Sequence, residues 1–382
     1  MAAVRILHLH SSFNLGGQES RTARLMNHFG DQAEHSVLSA VPDAYGAADA
    51  IDKRIKVNFP KDAALSLAGW PGMGRYRRLA KYMKKFHLVL SYNWGAMDGV
   101  MAHTLLTRSM GLPPLIHHED GFNHDEIDRL KARRNWFRTI ALQRTDALVV
   151  PSKTLEQIAR TEWHQPLEKI CRFPNGIDTE HFNRRPQRGS FPGFQKRDGE
   201  IVVGTIAGLR NVKNLPRLVR AVAAAGPHVR LAIAGEGPER GAIMAEAERL
   251  GIADRVMIPG FLRDPARYIR LFDIFALSSD SEQYPISLVE AMTSALPAVS
   301  TDVGDVRNIV SRENLPFIVP RQDEDALANA IRSLAADAEL RSTIGYANRA
   351  IACSQYDEST MFARYRQLYG SAMKRADFAR QG

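Results

Sequence analysis

The sequence has few cysteines and no long apolar runs, which argues against a disulfide-rich protein and against a membrane-spanning one. Only two cysteines, Cys171 and Cys353, occur among 382 residues. A disulfide between them is compatible with the sequence, but a reducing cytoplasm accounts better for so few cysteines. No stretch approaches about 18 apolar residues, so no membrane-spanning helix is predicted. The amino-terminal run is broken by His8 and His10 and has no small-residue cleavage site, which predicts a first strand and not a signal peptide.

Acidic residues are in the minority, 42 against 51 lysines and arginines, and the net charge is +9. Six basic residues stand in "RYRRLAKYMKK" (75–85), and "RLKARRNWFRTIALQR" (129–144) repeats the pattern with aromatic companions. Helices of this kind suit an anionic membrane surface, but they also describe a solvated basic face packed on its own sheet. No recognised nucleic-acid-binding module accompanies the charge, so nucleic acid is not an expected partner.

The chain is too long for one ordinary core, so two domains are expected. Short β-rich runs alternate with helical patterns from end to end, which predicts an α/β protein with doubly wound parallel sheets. The pattern breaks over 183–200, where proline, glycine and charged residues predict a linker. The predicted domains are therefore 1–182 and 201–355.

Features of the second half lie where predicted strands end, which is where doubly wound sheets bind ligands. In "GLRNVKNLPRLVRA", Arg210 and Lys213 precede a helix, where a diphosphate would find positive charge and helix N–H groups. In "AIAGEGPER", Gly235 and Gly237 allow a tight turn and a close approach of the backbone. Taken alone, a solvated loop and a common α/β turn explain these two stretches equally well.

Two further stretches follow. "IPGFLRD" ends a strand at Gly260 and Phe261, where backbone amides would read the edge of a base, or where the phenylalanine simply joins the core. In "SDSEQYPISLVEAM" (279–292), Glu282 follows a strand and Glu290 lies in the first turns of a helix. This interval either reflects the frequency of glutamate in first helical turns, or forms a site in which one carboxylate grips a sugar and the other a ribose.

The stretch "SEQYPISLVEAMTSALPAVSTDVGDVRNIV" (281–310) resembles the E-x7-E signature of the family 4 glycosyltransferases. "NLGGQES" (14–20) resembles the family's GGxE element, "FPNGIDTEHF" (173–182) the segment that ends its first domain, and "AGEGPE" its second-domain turn. The resemblance implies the GT-B architecture, in which two Rossmann-like domains face each other across a cleft. It also implies that a final helix, about 356–382, packs back on the first domain.

The resemblance implies roles for individual residues. Glu282 would contact the donor sugar, Glu290 the ribose and Lys213 the diphosphate. The arginine that the family usually carries five positions before that lysine is Gly208 in this chain, and Arg210 is the candidate to supply its charge. The other candidates for donor binding lie in loops at strand ends: Gly16, Gly17, Gly235, Phe261, Leu262, Tyr284, Pro285, Ile286 and Ser287.

The family also places a histidine near the sugar after a first-domain strand, and "LIHHEDGFN" (115–123) is the matching region. Two registers fit, one with His118 and the other with Asp120 at that position. The adjacent histidines predict no metal site, because a pair without further ligand spacing is usually structural. The only literal DxD, Asp323 to Asp325, predicts a helix N-cap, and enzymes of the family need no catalytic metal.

The implied reaction is retaining, metal-independent transfer of a hexose-type sugar from a UDP- or GDP-sugar to a hydroxyl of a glycan or lipid-linked glycan. Such transfer serves polysaccharide or lipopolysaccharide assembly, and no cofactor besides the donor is expected. The two basic segments favour a cytoplasmic protein held peripherally at the inner face of the membrane. The alternatives are a nucleotide-sugar epimerase and a non-catalytic glycan-binding scaffold of the same fold.

Overall fold

The computed structural model describes residues 3–14, 16–67, 69, 72–122, 126 and 130–380. Contacts divide the chain into two units, one made of Met1–Asn175 with Met361–Gly382 and the other of Gly176–Thr360. The chain therefore passes into the second unit several residues before the predicted boundary at 182. It returns to the first unit at 361, near the start of the predicted final helix.

The first unit contains a parallel sheet of seven strands. In chain order they are β1 Val4–His10, β2 Ala33–Ser39, β3 Val57–Asn58, β4 Leu88–Tyr92, β5 Leu115–His118, β6 Ala147–Val150 and β7 Ile170–Arg172. Their spatial order is β3-β2-β1-β4-β5-β6-β7. The chain thus winds outward in both directions from β1, which is the doubly wound topology expected from the sequence.

The second unit contains a parallel sheet of six strands. They are β8 Ile201–Ile206, β9 Val229–Ala234, β10 Val256–Gly260, β11 Ile274–Leu277, β12 Ala298–Thr301 and β13 Ile318–Val319. The spatial order β10-β9-β8-β11-β12-β13 repeats the same winding from β8. The carboxyl ends of β8 and β11 are neighbours at the point where the winding reverses, and ligands bind at such a point.

Helices cover both faces of each sheet. They are α1 Gly17–Phe29, α2 Met73–Met83, α3 Met97–Met110, α4 Ala132–Ala141, α5 Lys153–Thr161, α6 Leu215–Ala225, α7 Arg240–Arg249, α8 Ile286–Thr293, α9 Val306–Ile309, α10 Glu324–Ala336, α11 Ala338–Gln355, α12 Glu358–Ala372 and α13 Ala376–Arg380. In the first unit, Leu7 and Leu9 of β1 share a core with α2 and α3, while Ile6 shares the other core with Phe29 and with Tyr365 of α12. Side chains that alternate along β1 therefore pack into the cores on the two opposite faces of the sheet, as expected for a sheet covered on both faces.

The predicted linker is packed on the second unit. Phe191 is 2% exposed, and its ring contacts the rings of Tyr268 and Phe272 at centroid distances of 5.8 and 6.1 Å. Lys196 Nζ lies 2.6 Å from an Asp273 carboxylate oxygen. The segment 183–200 lacks periodicity because it runs irregularly over the surface of the unit, and two aromatic side chains of "FPGF" anchor it there.

The predicted basic segments differ in what they present to solvent. On α2 the apolar companions Tyr76, Leu79 and Met83 are buried, which agrees with the alternative of a basic helix face packed on its own sheet. On α4, Trp136 is 66% exposed, whereas Arg138 is buried. Residue 129 lies outside the described part of the chain. Among the described helices, none is long and apolar enough to cross a bilayer.

Histidines fill the middle of the first sheet. His8, His10, His35 and His118 are each at most 3% exposed. His8 Nε2 lies 3.0 Å from His35 Nδ1, and the ring of Tyr92 stacks on His10 with centroids 4.0 Å apart. Burial lowers the pKa of all four, to about 3 for His10 and for His35. The cluster is therefore neutral in the folded chain.

We expect mild acid to destabilise the first unit. Below about pH 6.5 the unfolded chain takes up protons at these histidines and the folded chain does not, so stability is complete above that pH and falls below it. A histidine whose pKa is lowered to about 3 costs about 2 kcal/mol at pH 5. All four tryptophans lie between residues 70 and 163, so their fluorescence during urea denaturation reports this unit.

A variant separates the histidines from other acid-sensitive groups. His10→Phe keeps an aromatic ring against Tyr92 and removes one titrating group, so the loss of stability between pH 7 and pH 5 should shrink by about 2 kcal/mol. His164→Gln, at an exposed position of the same unit, should keep the wild-type loss. Equal losses in wild type and His10→Phe would contradict this account of the cluster.

Candidate functional site

The centre of the candidate site is an ion pair in the second unit. Lys213 lies between β8 and α6, and Glu282 follows β11. Lys213 Nζ donates to Glu282 Oε1 at 2.5 Å, and Ser279 Oγ donates to the same oxygen at 2.7 Å. The two charged side chains are 24% and 10% exposed, so each is held in place and still reachable by a ligand. Two residues predicted separately as donor ligands therefore meet at adjacent strand ends.

Asp280 ties together the loops that carry this pair. Its carboxylate accepts a hydrogen bond from Asn214 Nδ2 at 3.1 Å and pairs with Arg217 at 2.9 Å. Its backbone N–H donates to Val212 O at 2.8 Å. Asp280 was not among the predicted site residues, and its only sequence signal is its position directly after the buried strand that precedes Glu282.

The predicted donor loop forms the start of α8. Pro285 is the N-cap residue, Ile286 begins the helix, and Leu288 N donates to Pro285 O at 3.1 Å. Tyr284 and Ser287 are half-buried on either side of this start. The first backbone N–H groups of a helix have no intrahelical partner and favour an anion. The loop thus offers amide donors close in sequence to Glu282.

Glu290 lies one turn into α8 and is half-buried. Burial, and then the carboxylates of Glu290 and Asp264, raise the pKa of Tyr268. Tyr268 is 1% exposed, so its phenol approaches Glu290 from inside the unit. Glu282 therefore follows strand β11, and Glu290 lies in the helix that comes next, α8. The start of α8 sets the spacing between the two carboxylates.

The close backbone approach predicted at the glycines is confirmed. Gly235 has φ +158°, and a Cβ there would lie 1.8 Å from Ala207 O. A Cβ on Gly237 would lie 2.4 Å from Leu209 O. Any side chain at either position would force apart the ends of β8 and β9.

At the end of β10, Phe261 is 55% exposed, so the alternative of a core phenylalanine is wrong. Leu262 is half-buried against the core of the unit. An exposed aromatic ring at a strand end is a surface on which a planar base can stack.

Gly304 constrains the backbone of Glu282 and was not predicted as a site residue. It follows β12 with φ +55°, and a Cβ there would lie 2.3 Å from Glu282 O and 3.0 Å from Gln283 O. Asp305 N donates to Gln283 O at 3.2 Å. Glycine at this position allows the loop after β12 to support the loop that carries Glu282.

Gly304→Ala should displace Glu282 and weaken binding of the donor nucleotide sugar about tenfold, because the new Cβ meets backbone atoms that cannot rotate away. Gly251→Ala is the matched control, since Gly251 lies in the same unit with φ +68° and open space around its Cβ position. Both variants carry the same left-handed strain, but only the first should raise the dissociation constant in isothermal titration with a UDP- or GDP-sugar. Similar constants for the two variants would assign the effect to strain alone.

Gly208 stands where the family's arginine was expected, and Arg210 lies against it. A Cβ on Gly208 would be 3.6 Å from Arg210 Nε, so the guanidinium group covers the space where a side chain of residue 208 would begin. Arg210 is exposed, and Lys213 N donates to Arg210 O at 2.9 Å. The two cations therefore share one turn.

In the first unit, Gly16 and Gly17 lie at the amino terminus of α1, with Gly16 as its N-cap residue. Glu19 folds back over this end, because a Cβ on Gly16 would lie 2.5 Å from Glu19 Oε2. Burial raises the pKa of Glu19 to about 7; a backbone hydrogen bond opposes this rise, and the Asp120 carboxylate adds a smaller increase. Two carboxyl groups thus approach each other beside the glycine loop.

The structure distinguishes between the two registers at the end of β5. His118 is 1% exposed; its Nδ1–H donates to Ser91 O at 3.2 Å, and Nε2 accepts from Tyr369 Oη at 3.1 Å. It is a core residue covered by α12. Asp120 keeps 12% of its side chain exposed and forms a bidentate pair with Arg21, at 2.6 and 2.8 Å.

The literal DxD is a helix cap, as predicted. Asp323 accepts a hydrogen bond from Ala326 N at 2.8 Å at the start of α10. Among the described residues, no group of three or more histidine, cysteine or acidic side chains converges as metal ligands would.

Comparison with known families matches the two halves of the chain separately. The model described as Glycosyltransferase Family 4 matches residues 15–181, and the model described as Glycosyl transferases group 1 matches residues 187–351. The two matches follow each other along the chain and together cover most of it.

Individual relatives are distant. The N-acetyl-alpha-D-glucosaminyl L-malate synthase of Bacillus anthracis is 24% identical over 55% of this chain and 56% of its own length, so the chain spans about half of that relative. The GDP-mannose-dependent alpha-mannosyltransferase of Mycobacterium tuberculosis is 23% identical over 87% of this chain and 89% of its own. The crystal structure of Anabaena Alr3699/HepE in complex with UDP superposes with a TM-score of 0.80 at 19% identity, covering 96% of this chain and all of that one.

Proposed function

Because the chain belongs to the family 4 glycosyltransferases and has the GT-B fold, we propose that it is a retaining, metal-independent transferase. Its donor is a nucleotide diphosphate sugar of a hexose type, and its acceptor is a hydroxyl of a glycan or lipid-linked glycan. The observation that carries this proposal is the Lys213–Glu282 pair at the strand ends of the second unit. It joins a cation suited to a diphosphate with a carboxylate suited to sugar hydroxyls.

The proposed step breaks the bond between the anomeric carbon and the diphosphate oxygen, and forms the bond to the acceptor oxygen on the same face of the sugar. The acceptor's proton passes to the leaving phosphate oxygen, so no protein nucleophile is required. Lys213, supported by Arg210 in the same turn, offsets the charge that develops on the diphosphate. The first amides of α8 add donors without needing to reorganise.

The nucleotide in this proposal is UDP or GDP. Glu290 holds the ribose by accepting hydrogen bonds from vicinal hydroxyls, and Phe261, 55% exposed at the end of β10, stacks on the base. UDP is bound by Anabaena Alr3699/HepE, and the name of the mycobacterial relative specifies GDP-mannose. These two similarities support both nucleotides, and only binding measurements separate them.

The proposed setting is polysaccharide or lipopolysaccharide assembly at the cytoplasmic face of a membrane. Trp136, 66% exposed on α4 next to basic residues of the same helix, supports attachment to an anionic surface. In co-sedimentation, wild-type protein should prefer vesicles containing phosphatidylglycerol over phosphatidylcholine alone, and Trp136→Ala should reduce that preference. Equal binding to both lipids would contradict peripheral attachment.

The reaction itself is tested with UDP- and GDP-sugars, each incubated with a panel of alkyl glycosides and with EDTA present. The proposal expects one donor to be consumed, and proton NMR of the product to show the donor's anomeric configuration. Loss of donor stereochemistry without an acceptor would favour an epimerase. Nucleotide binding with no turnover under any condition would favour a non-catalytic scaffold.

A further inference from the structure

Asn93, the residue after β4, has a backbone conformation that residues other than glycine rarely adopt. Its φ is 55° and its ψ −176°, which lies in a region populated almost only by glycine. Such a conformation persists only where surrounding contacts enforce it, and it concentrates at functional positions. The enforcing contacts can be identified.

Asn93 joins three elements of the first unit at the carboxyl edge of its sheet. Its backbone N–H donates to His118 O at 2.8 Å, and its side-chain oxygen accepts from Asp120 N at 2.8 Å. Its side-chain amide donates to Gln18 Oε1. One residue thus sets the position of the chain after β5 relative to the first turn of α1.

The polar groups near Asn93 include both a hydrogen-bond donor and hydrogen-bond acceptors. Gln18 is 8% exposed, yet its Nε2 has no hydrogen-bond partner among the described residues. Asp120, neutralised by Arg21, keeps its carboxylate partly exposed. Glu19 adds a half-buried carboxyl group beside it. An amide donor next to carboxylate acceptors matches a pair of sugar hydroxyls, each of which can donate and accept.

We infer that Asn93 is a positioning residue for a sugar-hydroxyl site made by Gln18, Glu19 and Asp120, and that this site takes a pyranoside of the acceptor. The inference rests on the proposed function, because it identifies the groups that would bind its acceptor. The unpaired amide favours a neutral hydroxylated ligand over a cation. A cation would leave Gln18 Nε2 without an acceptor in a buried position, which is unfavourable.

Asn93→Gly separates strain from positioning. Glycine adopts the observed backbone conformation freely, so relief of the strain offsets part of the stability that is lost with the two side-chain hydrogen bonds. His164→Gly is the matched control, because His164 also has a positive φ of 51° and lies exposed in the same unit. Gln18→Leu is a second variant that removes the unpaired amide and keeps Asn93.

The probes are methyl α-D-glucopyranoside, methyl α-D-galactopyranoside and methyl N-acetyl-α-D-glucosaminide, observed by saturation-transfer difference NMR with the full chain. Wild type and His164→Gly should bind at least one probe, and Asn93→Gly and Gln18→Leu should bind it about tenfold more weakly, the loss expected for one or two good hydrogen bonds. Hydrogen exchange should quicken in Asn93→Gly at residues 118–122 and not in the second unit.

The outcomes are distinguishable from failure of the proposed function. UDP or GDP should stabilise wild type and Asn93→Gly equally, because Lys213, Glu290 and Phe261, the proposed ligands of the diphosphate, the ribose and the base, lie in the second unit. Nucleotide stabilisation without binding of any methyl glycoside would overturn the sugar-hydroxyl site alone. Unchanged glycoside binding by Asn93→Gly would overturn its positioning role, and a wild type that binds no nucleotide would count against the proposed function itself.

Discussion

Replacing Lys213 by methionine is expected to lower kcat about 100- to 1000-fold, the usual consequence of removing one group that stabilises charge developing in a transition state. Methionine keeps the length of the side chain and removes only the cation. Glu282 retains the hydrogen bond from Ser279 Oγ at 2.7 Å, so its loop should stay in place. The loss should therefore appear in kcat measured with saturating donor and not in the thermal stability of the protein.

Lys196→Met provides the matched control for this prediction. Lys196 forms a comparable pair with Asp273 at 2.6 Å, but Asp273 precedes β11 and Glu282 follows it, so the two pairs lie at opposite ends of the same strand. Lys196→Met should leave kcat within about twofold, as expected for a partly exposed ion pair remote from the reaction. Comparable losses of kcat in the two variants would show that Lys213 contributes stability and not chemistry.

Replacing Arg138 by methionine is expected to destabilise the first unit by about 3–5 kcal/mol, because it leaves a buried carboxylate without its counter-charge. Arg138 Nε lies 3.2 Å from Glu119 Oε2, and both side chains are fully buried. The guanidinium carbon also lies 4.9 Å from the ring centre of Trp94 and 5.0 Å from that of Trp163. Urea denaturation followed by tryptophan fluorescence measures the effect directly.

Two further variants make the result interpretable. Arg172→Met removes a partly exposed pair with Glu156 in the same unit and should cost less than about 1 kcal/mol. The double variant, Glu119→Gln with Arg138→Met, removes the stranded charge of Glu119, while Glu126, which pairs with Arg138 at 3.5 Å, keeps its partner Arg134 at 2.8 Å. Its loss should therefore be smaller than that of Arg138→Met alone. A double variant that is less stable than Arg138→Met would contradict the assignment of the loss to a stranded carboxylate.

The sequence predicted where the second-unit candidates lie in the fold, because most of them belong to one continuous motif. Glu282, Glu290 and the loop between them are fixed by a strand, a proline and a helix, all of which are local signals. Lys213 was predicted from a separate stretch, and the structure pairs it with Glu282 at 2.5 Å. The neighbouring strands β8 and β11 bring these stretches together, as the doubly wound order requires.

Residues that support the site through long-range contacts could not be predicted from the sequence. In the sequence, Gly304 resembles an ordinary turn glycine. Only the structure shows that a Cβ at this position would lie 2.3 Å from Glu282 O, and that a larger residue would therefore displace the Glu282 loop. Asn93 gave no local signal of its backbone conformation. The sequence pattern of a segment indicates its own conformation, but it does not indicate which distant segment packs against it.

In the first unit, burial and packing carry information that the sequence pattern does not. His118 and Asp120 are two residues apart, so both register choices satisfied the sequence, and only burial distinguishes them. The segment 183–200 was interpreted as a linker because it lacks periodicity, although irregular chain can pack as firmly as a helix when it carries anchors such as Phe191. Strand β2 was not predicted, because His35 and Ser36 interrupt its apolar pattern.

The most direct test of the central claim is calorimetric unfolding of wild type and Glu290→Ala with UDP, GDP, ADP and their sugars. A ligand present at about 100 times its dissociation constant should add about 2.7 kcal/mol to wild type. We expect UDP or GDP and their sugars to stabilise wild type, and the effect to be clearly smaller in Glu290→Ala because the ribose loses its carboxylate. Absence of stabilisation by every nucleotide, or an equal effect in both proteins, would contradict a donor site built on Lys213, Glu282 and Glu290.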